Sequence, residues 1–486
     1  MTNIEVTRPL ARWIVDYSAA ALPEPVKREG VRTVVNWLGC AIGGSPHETL
    51  DRALDAVKLF SGPEQATVIG RGNRVDALHG ALLNGISSHV LDYDDTHLKT
   101  IIHPAGPVAS AAFAVAETMP ISGADLLTAI VLGMEVECRI GNSVYPDHYD
   151  RGWHITGTAG VFGAAAAVGR LLKLDAERMT WALGIAATQS SGLREMFGTM
   201  CKSFHPGRAA QNGAFAAFLA RSGFDSSIRA IEAPRGFANV LSTKQDYSEI
   251  LDGLGERWET ELNTYKPFAC GIVIHPTIDG CQQIREELGA AVSEIEKVEL
   301  TTHPLVLELT GKTAPKTGLE GKFSVYHAAA TALLRGDGSP AAFTDEVVSN
   351  PAIVALRGHV EATADKAMPE ESVRIAVTLK DGQRIERYVR HAIGSVARPL
   401  SDAQLEAKFR GSSVPVLGGG ATDAVLNLAW QLPALSSIGE LIAKTVPAQA
   451  ACRASYARHS GRRRHRPRDR ARRGRNRESG GLLSWS

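Results

Sequence analysis

The segment LDYDDTHLKTIIHP, residues 91–104, holds three carboxylates, two histidines, a lysine and two threonines in fourteen residues. If it is helical, Asp92, Thr96 and Lys99 share one face, because they are spaced at i, i+4 and i+7. The closing proline predicts that this helix ends before His103, whose imidazole is then free to point into a cleft. We therefore expect Asp92, Thr96 and His103 to contribute to a site.

Three kinds of site fit this segment: a metal site, a metal-free acid–base site and a structural polar turn. Carboxylates are ligands that Mg²⁺ prefers, but the sequence contains no second acidic cluster to share the ion. A metal-free acid–base site is therefore favoured, and no metal is expected. Asp94 and Asp95 are assigned to capping, supporting hydrogen bonds or solvent.

Four other segments place ionisable side chains beside glycine or proline. Taken singly, each histidine has the alternative of a helix cap, and each lysine that of a solvated surface. Taken together, they are typical of an active site assembled from loops. The segments are GWHITGT with His154, GTMCKSFHPGRAAQNG with Lys202, His205 and Arg208, YKPFACGIVIHPTIDG with Lys266 and His275, and KTAPKTGLEGKFSVYHAAA with Lys312, Lys316, Lys322, Tyr326 and His327.

Helical periodicity in the first half of the chain is expected to position these segments at helix ends. After residue 265 the pattern changes: 298–302 is a short strand candidate, and strict alternation over 373–379 precedes an Asp381-Gly382 hairpin signal. Residues 401–404 read as a capping box that opens a return to helix. The predicted helices cover roughly 9–60, 74–90, 105–118, 122–143, 156–173, 175–191 and 206–222.

These patterns predict a mainly α fold with a large all-α domain and an inserted, smaller α+β lid domain. The helical domain would comprise residues 1–265 and return at 401–450, with the lid at 266–400. A mixed domain set into a helical one creates a boundary, and ligand clefts tend to form at such boundaries.

The composition is that of a soluble enzyme, with 44% hydrophobic and 22% charged residues among 486. Six cysteines without a C-x-x-C pair argue against a zinc cage or a disulfide framework. The N-terminal residues lack the layout of a signal peptide, and no uninterrupted run of about twenty apolar residues occurs. We therefore expect a soluble, cytoplasmic protein that does not contact a membrane.

The last residues differ in charge from the rest. Residues 453–486 contain twelve arginines against Asp469 and Glu478, a net charge of +10, whereas the whole chain carries +1 and the remainder is therefore acidic. The stretch 451–486 has too few apolar residues to fold alone and is predicted to be disordered. Nucleic-acid binding is not expected, because no aromatic-interleaved fold accompanies the arginines, and a reading-frame artefact is the alternative explanation for the stretch.

The segment 91–104 and the four segments quoted above, in their order along the chain, resemble the MmgE/PrpD superfamily over about residues 8–445. The resemblance implies a helical domain with a smaller α+β lid, a homodimer, and a cofactor-free site between the domains for small di- or tricarboxylates. Lysines would hold the substrate carboxylates as point charges, and histidines would transfer protons. By motif position it implies roles for Asp92, Thr96, His103, His154, Lys202, Lys266 and His275.

One position departs from the family pattern. Dehydratase and decarboxylase relatives look like K-F-S-x-x-Y, whereas here Tyr326 stands one place earlier and His327 occupies its position. One residue is a rotation of about 100° on a helix, which puts a direct transfer of those activities in doubt. An epimerase needs proton-transfer groups on opposite faces of its substrate, and the sequence is rich in candidates.

The function predicted is therefore removal of a proton α to a carboxylate, with cations stabilising the developing charge, in an epimerase of iminodisuccinate type. The alternatives are a 2-methylcitrate dehydratase-type or cis-aconitate decarboxylase-type lyase and, outside enzymes, an Arg-tailed nucleic-acid-binding protein. The expected catalytic residues are His103, His154, Lys202, Tyr326 and His327, and the expected substrate-binding residues are Asp92, Thr96, Lys266, His275 and Arg208.

Overall fold

Helices make up most of the structure, a computed structural model that describes residues 4–448, so the prediction of a mainly α fold is confirmed. No helix in this range is long and apolar enough to cross a membrane. The first helices are α1 Thr7–Asp16, α2 Glu24–Gly44, α3 Glu48–Val57, α4 Ala77–His89, α5 Ala105–Ala116, α6 Gly123–Val144, α7 Asp147–Asp150, α8 Ile155–Leu171, α9 Ala176–Ala187, α10 Met200–Arg221, α11 Phe237–Leu241 and α12 Ser248–Leu251. The later ones are α13 His275–Leu288, α14 Pro304–Thr310, α15 Gly318–Gly321, α16 Val325–Arg335, α17 Asp345–Val348, α18 Pro351–Arg357, α19 Asp402–Leu417, α20 Gly419–Trp430 and α21 Gly439–Lys444.

Helices α4, α5, α6, α8 and α10 pack against one another through small residues. A Cβ atom on Gly85 would lie 2.5 Å from the Cα of Gly207, and one on Gly133 would lie 2.7 Å from the carbonyl oxygen of Gly163. Real Cβ atoms do not come this close, so the backbones touch because no side chain separates them. The crossing of α4 and α10 therefore sets how closely the end of α4 can approach the start of α10.

The β structure is confined to small sheets. The strands are β1 Ala66–Thr67, β2 Arg74–Val75, β3 Asp95–His97, β4 Asn263–Tyr265, β5 Ile295–Thr302, β6 Val360–Ala364, β7 Val373–Leu379 and β8 Arg384–Val389. The largest sheet has the order β6-β5-β7-β8, in which β5 and β6 are parallel and the other pairs antiparallel. The strand predicted at 298–302 lies within β5, and the alternating stretch 373–379 is β7, which turns into β8 through Gly382 with a φ of +87°.

The C-terminal helices return to the first ones. The predicted capping box is present, since the side chains of Ser401 and Gln404 each accept a hydrogen bond from the other's backbone N–H. Helix α19, which it starts, packs along α2, where Phe409 lies against Gly39. The described residues up to Pro447 belong to one compact unit, and the division into a helical domain and a lid stays a prediction. The tail predicted at 451–486 lies outside the described residues.

The segment 91–104 is not helical, and this prediction was wrong. It contains β3, which pairs with β4 in antiparallel register, and two residues in left-handed conformation, Asp92 with a φ of +49° and Ile101 with a φ of +59°. Short polar side chains such as Asp compete with helix formation by hydrogen bonding to nearby groups. His103 therefore does not follow a helix but precedes one, α5.

Replacing Gly85 with alanine is expected to destabilise the protein by about 1–3 kcal/mol, because the new methyl group would push α4 away from α10. Gly411→Ala is the matched control: Gly411 is an exposed residue within α19, and nothing lies within 4 Å of the added Cβ, so helix propensity predicts no loss and up to about 1 kcal/mol of gain. Urea denaturation of both variants measures the difference. Equal stabilities would show that the close crossing does not constrain the fold.

Candidate active site

A narrow cavity opens where the segment 91–104, the start of α10 and the residues after β4 meet. One end of it is polar and carries both charged and imidazole groups, and the remaining wall is apolar and aromatic. The polar residues are Asp92, His103, His154, Lys202 and Lys266, and the rest of the wall comes chiefly from Ile101, Tyr149, Phe197, Ile272, Val273, Leu309 and Phe323.

Asp92 lies at the centre of the polar end. Its Oδ1 accepts hydrogen bonds from the Nζ of Lys202 at 3.1 Å and of Lys266 at 2.5 Å, and all three side chains are buried. Although burial opposes ionisation, the two ammonium groups hold the pKa of Asp92 well below its usual range. Within residues 4–448 its second oxygen, Oδ2, has no hydrogen-bond partner. This carboxylate is therefore charged and has one oxygen free of protein donors.

A third ammonium group stands behind this pair. The Nζ of Lys322 donates to the carbonyl oxygens of Leu91 at 2.7 Å and Ala269 at 2.9 Å. Burial lowers the pKa of Lys322 to about 8. Since the two contacts are to neutral carbonyls, Lys322 keeps most of its charge available for an anion.

His89 connects Lys202 to a second carboxylate. Its Nδ1 lies 2.6 Å from Oδ2 of Asp94, and its Nε2 lies 2.9 Å from the Nζ of Lys202. Although burial opposes ionisation, the neighbouring His89 and His103 lower the pKa of Asp94, which is therefore ionised. Its carboxylate accepts a hydrogen bond from the Nδ1–H of His89. Nε2 of His89 then accepts a hydrogen bond from Lys202.

His103 has its proton on the side away from the cavity. Its Nδ1 lies 2.7 Å from the backbone carbonyl oxygen of Asp95, which only accepts hydrogen bonds, and 3.3 Å from Oγ1 of Thr96. The neutral ring therefore carries hydrogen on Nδ1, and Nε2 has a free lone pair. Burial holds the pKa of His103 well below its usual range, so this neutral form prevails near pH 7.

His154 completes the polar end. Its Nδ1 is 2.8 Å from the Nδ1 of His205, and the edge of its ring meets Phe197. Burial and the neighbouring His205 keep the pKa of His154 well below its usual range. The ring centroids of His103 and His154 are 6.3 Å apart. Two neutral imidazoles thus face a cavity that also holds charged lysines.

Comparison with known protein families agrees with this geometry. The chain matches the MmgE/PrpD N-terminal domain over residues 8–250 and the MmgE/PrpD C-terminal domain over residues 268–432. It belongs to the MmgE/PrpD family. The resemblance inferred from the five segments is thereby confirmed.

Relatives within the MmgE/PrpD family carry two activities in their names. Cis-aconitate decarboxylase from Aspergillus terreus is 25% identical over 466 residues, which cover 90% of this chain and 95% of that protein. Cis-aconitate decarboxylase from Homo sapiens is 26% identical over 460 residues, 90% of this chain and 93% of that protein. 2-Methylcitrate dehydratase from Cupriavidus necator is 22% identical over 423 residues, 78% of this chain and 84% of that protein.

The structure of this MmgE/PrpD chain brings five of the predicted site residues to one cavity: Asp92, His103, His154, Lys202 and Lys266. Thr96 is buried behind them against His103. His275 is also buried, edge-on to Phe268, and neither of its ring nitrogens hydrogen-bonds a side chain within residues 4–448. Asp94 and Asp95 are both buried, so the alternative that they contact solvent was wrong.

Three predicted residues are placed elsewhere. Nε2 of His327 lies 3.0 Å from the carbonyl oxygen of Ala342, and its ring packs on Phe343. Tyr326 packs against the core beside the large sheet. The physical reason is the register of α16, which Ser324 caps through the backbone N–H of His327. Arg208 is exposed and donates to Oε1 of Gln211.

Sequence reasoning missed His89 and Tyr149. His89 ends the apolar helix α4, where a single histidine gives no functional signal of its own, although Asp94 follows five residues later. Tyr149 lies in α7, a four-residue helix without a chemical motif. Both reach the site only through the packing of distant helices.

Lys202→Ala and His154→Ala are each expected to lower kcat/KM by a factor on the order of 10² or more, the usual scale for loss of a positioned acid–base group. Lys380→Ala is the control, since Lys380 is an exposed residue paired only with Glu294. Steady-state kinetics with a carboxylate that the protein converts gives the kcat/KM of each variant relative to that of the unaltered protein. Near-normal activity of both site variants would remove them from the catalytic machinery.

Proposed function

We propose that the protein is a lyase that transfers a proton to or from the carbon skeleton of a small di- or tricarboxylate, with cis-aconitate decarboxylation as the first candidate reaction. The observation that carries this proposal is the pairing of two neutral imidazoles, His103 and His154, with buried lysines around one cavity. The names of the relatives that cover 90% of the chain support decarboxylation. A cofactor-free mechanism, a homodimer and a cytoplasmic location stay predictions.

The lysines fit an anionic substrate. Lys202 and Lys266 both donate to the carboxylate of Asp92, and the two hydrogen bonds of the Lys322 ammonium group go to carbonyl oxygens. With Asp92 and Asp94 both ionised, the three buried lysines still leave one positive charge that a substrate carboxylate can neutralise. In a desolvated site each such contact is stronger than in water.

The apolar wall favours loss of a carboxylate. Phe197, Phe323, Leu309 and Val273 line the cavity, and Nζ of Lys202 lies 5.3 Å and 5.5 Å from the ring centroids of Phe197 and Phe323. A carboxylate that leaves as CO₂ loses its charge, so an apolar contact disfavours the starting anion more than the neutral product. Substrate carboxylates on the lysines and the leaving carboxylate on the apolar wall would orient the reaction.

The bond changes of this reaction need one proton donor. The bond from the allylic CH₂ carbon to its carboxylate breaks, and its electron pair forms the new carbon–carbon double bond. The former double bond opens, and its far carbon takes a proton. His103 is the proposed donor once it is protonated, and His154, whose ring centroid is 6.3 Å from that of His103, is the second candidate.

The cavity is narrow. Only about 30 Å³ is open to the centres of water-sized spheres, which is room for about two water molecules. A tricarboxylate therefore enters only after the walls separate. The rings of Phe197 and Phe323 pack against each other with 5.4 Å between their centroids. Phe197 precedes α10 and Phe323 precedes α16. This contact must open to admit the substrate.

Epimerisation is the second candidate. It needs two proton-transfer groups, and His103 and His154 are separate imidazoles on one cavity. The placement of Tyr326 and His327 outside the cavity removes two of the groups on which this hypothesis rested. 2-Methylcitrate dehydration stays an alternative through the named relatives.

Incubation in deuterated water distinguishes these reactions. We expect cis-aconitate to give CO₂ and an unsaturated dicarboxylate with one deuterium on the carbon next to a carboxylate, read by NMR and mass spectrometry. 2-Methylcitrate and chiral iminodisuccinate are tested in parallel for water loss and for racemisation. A protein-free incubation is the control for solvent exchange without the enzyme, and His154→Ala shows how much of the exchange depends on this imidazole. No product, exchange or racemisation from any of the three compounds would reject the proposed substrate class.

Binding of a non-reacting tricarboxylate at pH 7 is expected to take up about one proton per site. The free enzyme keeps His103 neutral because burial lowers its pKa, and an adjacent anion raises that pKa, so the complex binds more protons than the free enzyme. Titration calorimetry in buffers of different ionisation enthalpy measures the uptake. His103→Asn should reduce it, whereas proton release or no exchange in the unaltered protein would contradict the proposed donor.

A further inference from the structure

Three buried histidines from three separate elements converge at the polar end of the cavity. His89 ends α4, His103 precedes α5, and His154 precedes α8. One nitrogen from each ring lies within 4.8 Å of one from each of the other two. The ring centroids of His89 lie 4.8 Å from His103 and 6.0 Å from His154. Such convergence is what a metal ion requires of its ligands.

Each ring is also held from behind. The Nδ1 atoms of His89, His103 and His154 contact, respectively, the carboxylate of Asp94 at 2.6 Å, the carbonyl oxygen of Asp95 at 2.7 Å and the Nδ1 of His205 at 2.8 Å. Hydrogen bonds to a carboxylate or a carbonyl oxygen fix the tautomer and the orientation of metal-ligating histidines, and the contact with His205 orients the ring of His154. The hydrogen bonds of the His103 and His154 rings within residues 4–448 are made by Nδ1, so Nε2 of each ring is open to an ion.

We propose that His89, His103 and His154 bind one divalent transition-metal ion such as Zn²⁺, and that this ion inhibits the enzyme. Three imidazoles suit Zn²⁺, Co²⁺, Ni²⁺ and Cu²⁺ rather than Mg²⁺ or Ca²⁺. Zn–N bonds of about 2.0–2.1 Å place tetrahedral ligands about 3.4 Å apart, so the rings need to move inward by on the order of an ångström. The carboxylates of Asp94 and Asp92 lie beside the rings and offset the charge of the ion.

Lys202 is the group that the ion displaces. Its Nζ lies 2.9 Å from Nε2 of His89 and 3.1 Å from Oδ1 of Asp92. The ion takes the lone pair of His89, and the ammonium group keeps Asp92 as its partner. The competing ammonium weakens the site relative to an unobstructed three-histidine site, which fits a reversible inhibitor better than a permanent structural ion.

Inhibition follows because two ligands belong to the catalytic site. His103 and His154 line the cavity, and a coordinated imidazole has no lone pair left for a proton. The ion and the substrate therefore exclude one another. This inhibition arm rests on the proposed function, whereas binding of the ion does not.

Titration of the chelator-treated full-length protein with Co²⁺ tests the binding. We expect a saturable visible d–d absorption band at one ion per chain, which Zn²⁺ abolishes. His89→Asn and His103→Asn, each checked for folding by far-ultraviolet circular dichroism, are expected to lose the band. His359→Asn is the matched control, because His359 is exposed and contacts the carbonyl oxygen of Glu296. A double His459→Asn, His465→Asn variant controls for the tail histidines.

Absence of any Co²⁺ band and of Zn²⁺ binding by calorimetry would overturn the proposal. So would a band that survives in both folded cluster variants, or one that disappears in the His359 or tail variants. Zn²⁺ is further expected to raise the KM of the turned-over carboxylate at least tenfold without lowering kcat. Retained binding without inhibition would leave the metal site standing and contradict the placement of substrate at His103 and His154.

Discussion

A buried carboxylate between two buried ammonium groups is the contact on which the site depends. Removing ions from water costs several kcal/mol for each, and a buried pair recovers this only when its geometry is good. Oδ1 of Asp92 receives both Lys202 and Lys266, so one carboxylate offsets the burial of two cations. The three residues come from distant parts of the chain, and their contact joins α10 to the segments 91–104 and 263–266.

The two lysines are not equivalent in this contact. Burial lowers the pKa of Lys202, whereas the pKa of Lys266 is raised because Asp92 and Asp94 outweigh its burial. The difference matches the distances to Asp92, 2.5 Å for Lys266 and 3.1 Å for Lys202. Lys266 therefore holds its proton more strongly than Lys202 does and suits binding of a substrate carboxylate. Lys202 exchanges its proton more readily and also touches His89, which suits a role in proton transfer.

Periodicity was sufficient to predict the helical framework but not the register of side chains on it. Helices predicted at 105–118, 122–143 and 156–173 occur as Ala105–Ala116, Gly123–Val144 and Ile155–Leu171, because each is long and bounded by clear breakers. The segment 91–104 was misread, since its spacing fits a helix while its aspartates bond to buried partners instead. His327 lies outside the cavity for a different reason: the direction in which a helix presents a side chain depends on the residues packed against it, here Phe343 and Ala342, and spacing alone does not encode those contacts. His89 could be found only from the glycine crossing of α4 and α10.

Asp94 and Asp95, which are neighbours in the segment 91–104, differ in pKa and in the groups that they contact. Asp94 is ionised and directs its charge at His89 and His103, whereas burial and the charge of Asp94 raise the pKa of Asp95 to about 7. Oδ2 of Asp95 accepts from the backbone N–H of Ala105 and from Asn263, so it ties the segment to α5 and β4 instead of facing the cavity.

The direction of the hydrogen bonds follows from this difference. Lys202 donates to His89, His89 donates to Asp94, and His103 donates to the carbonyl oxygen of Asp95. The Nδ1 protons of His89 and His103 point away from the cavity, so Nε2 of His103 carries a lone pair and can accept a proton. The negative charge of a bound substrate raises the pKa of His103 and thereby favours protonation of its Nε2. Under the proposed function, a bound substrate carboxylate thus favours the protonated form of His103 that a proton donor requires.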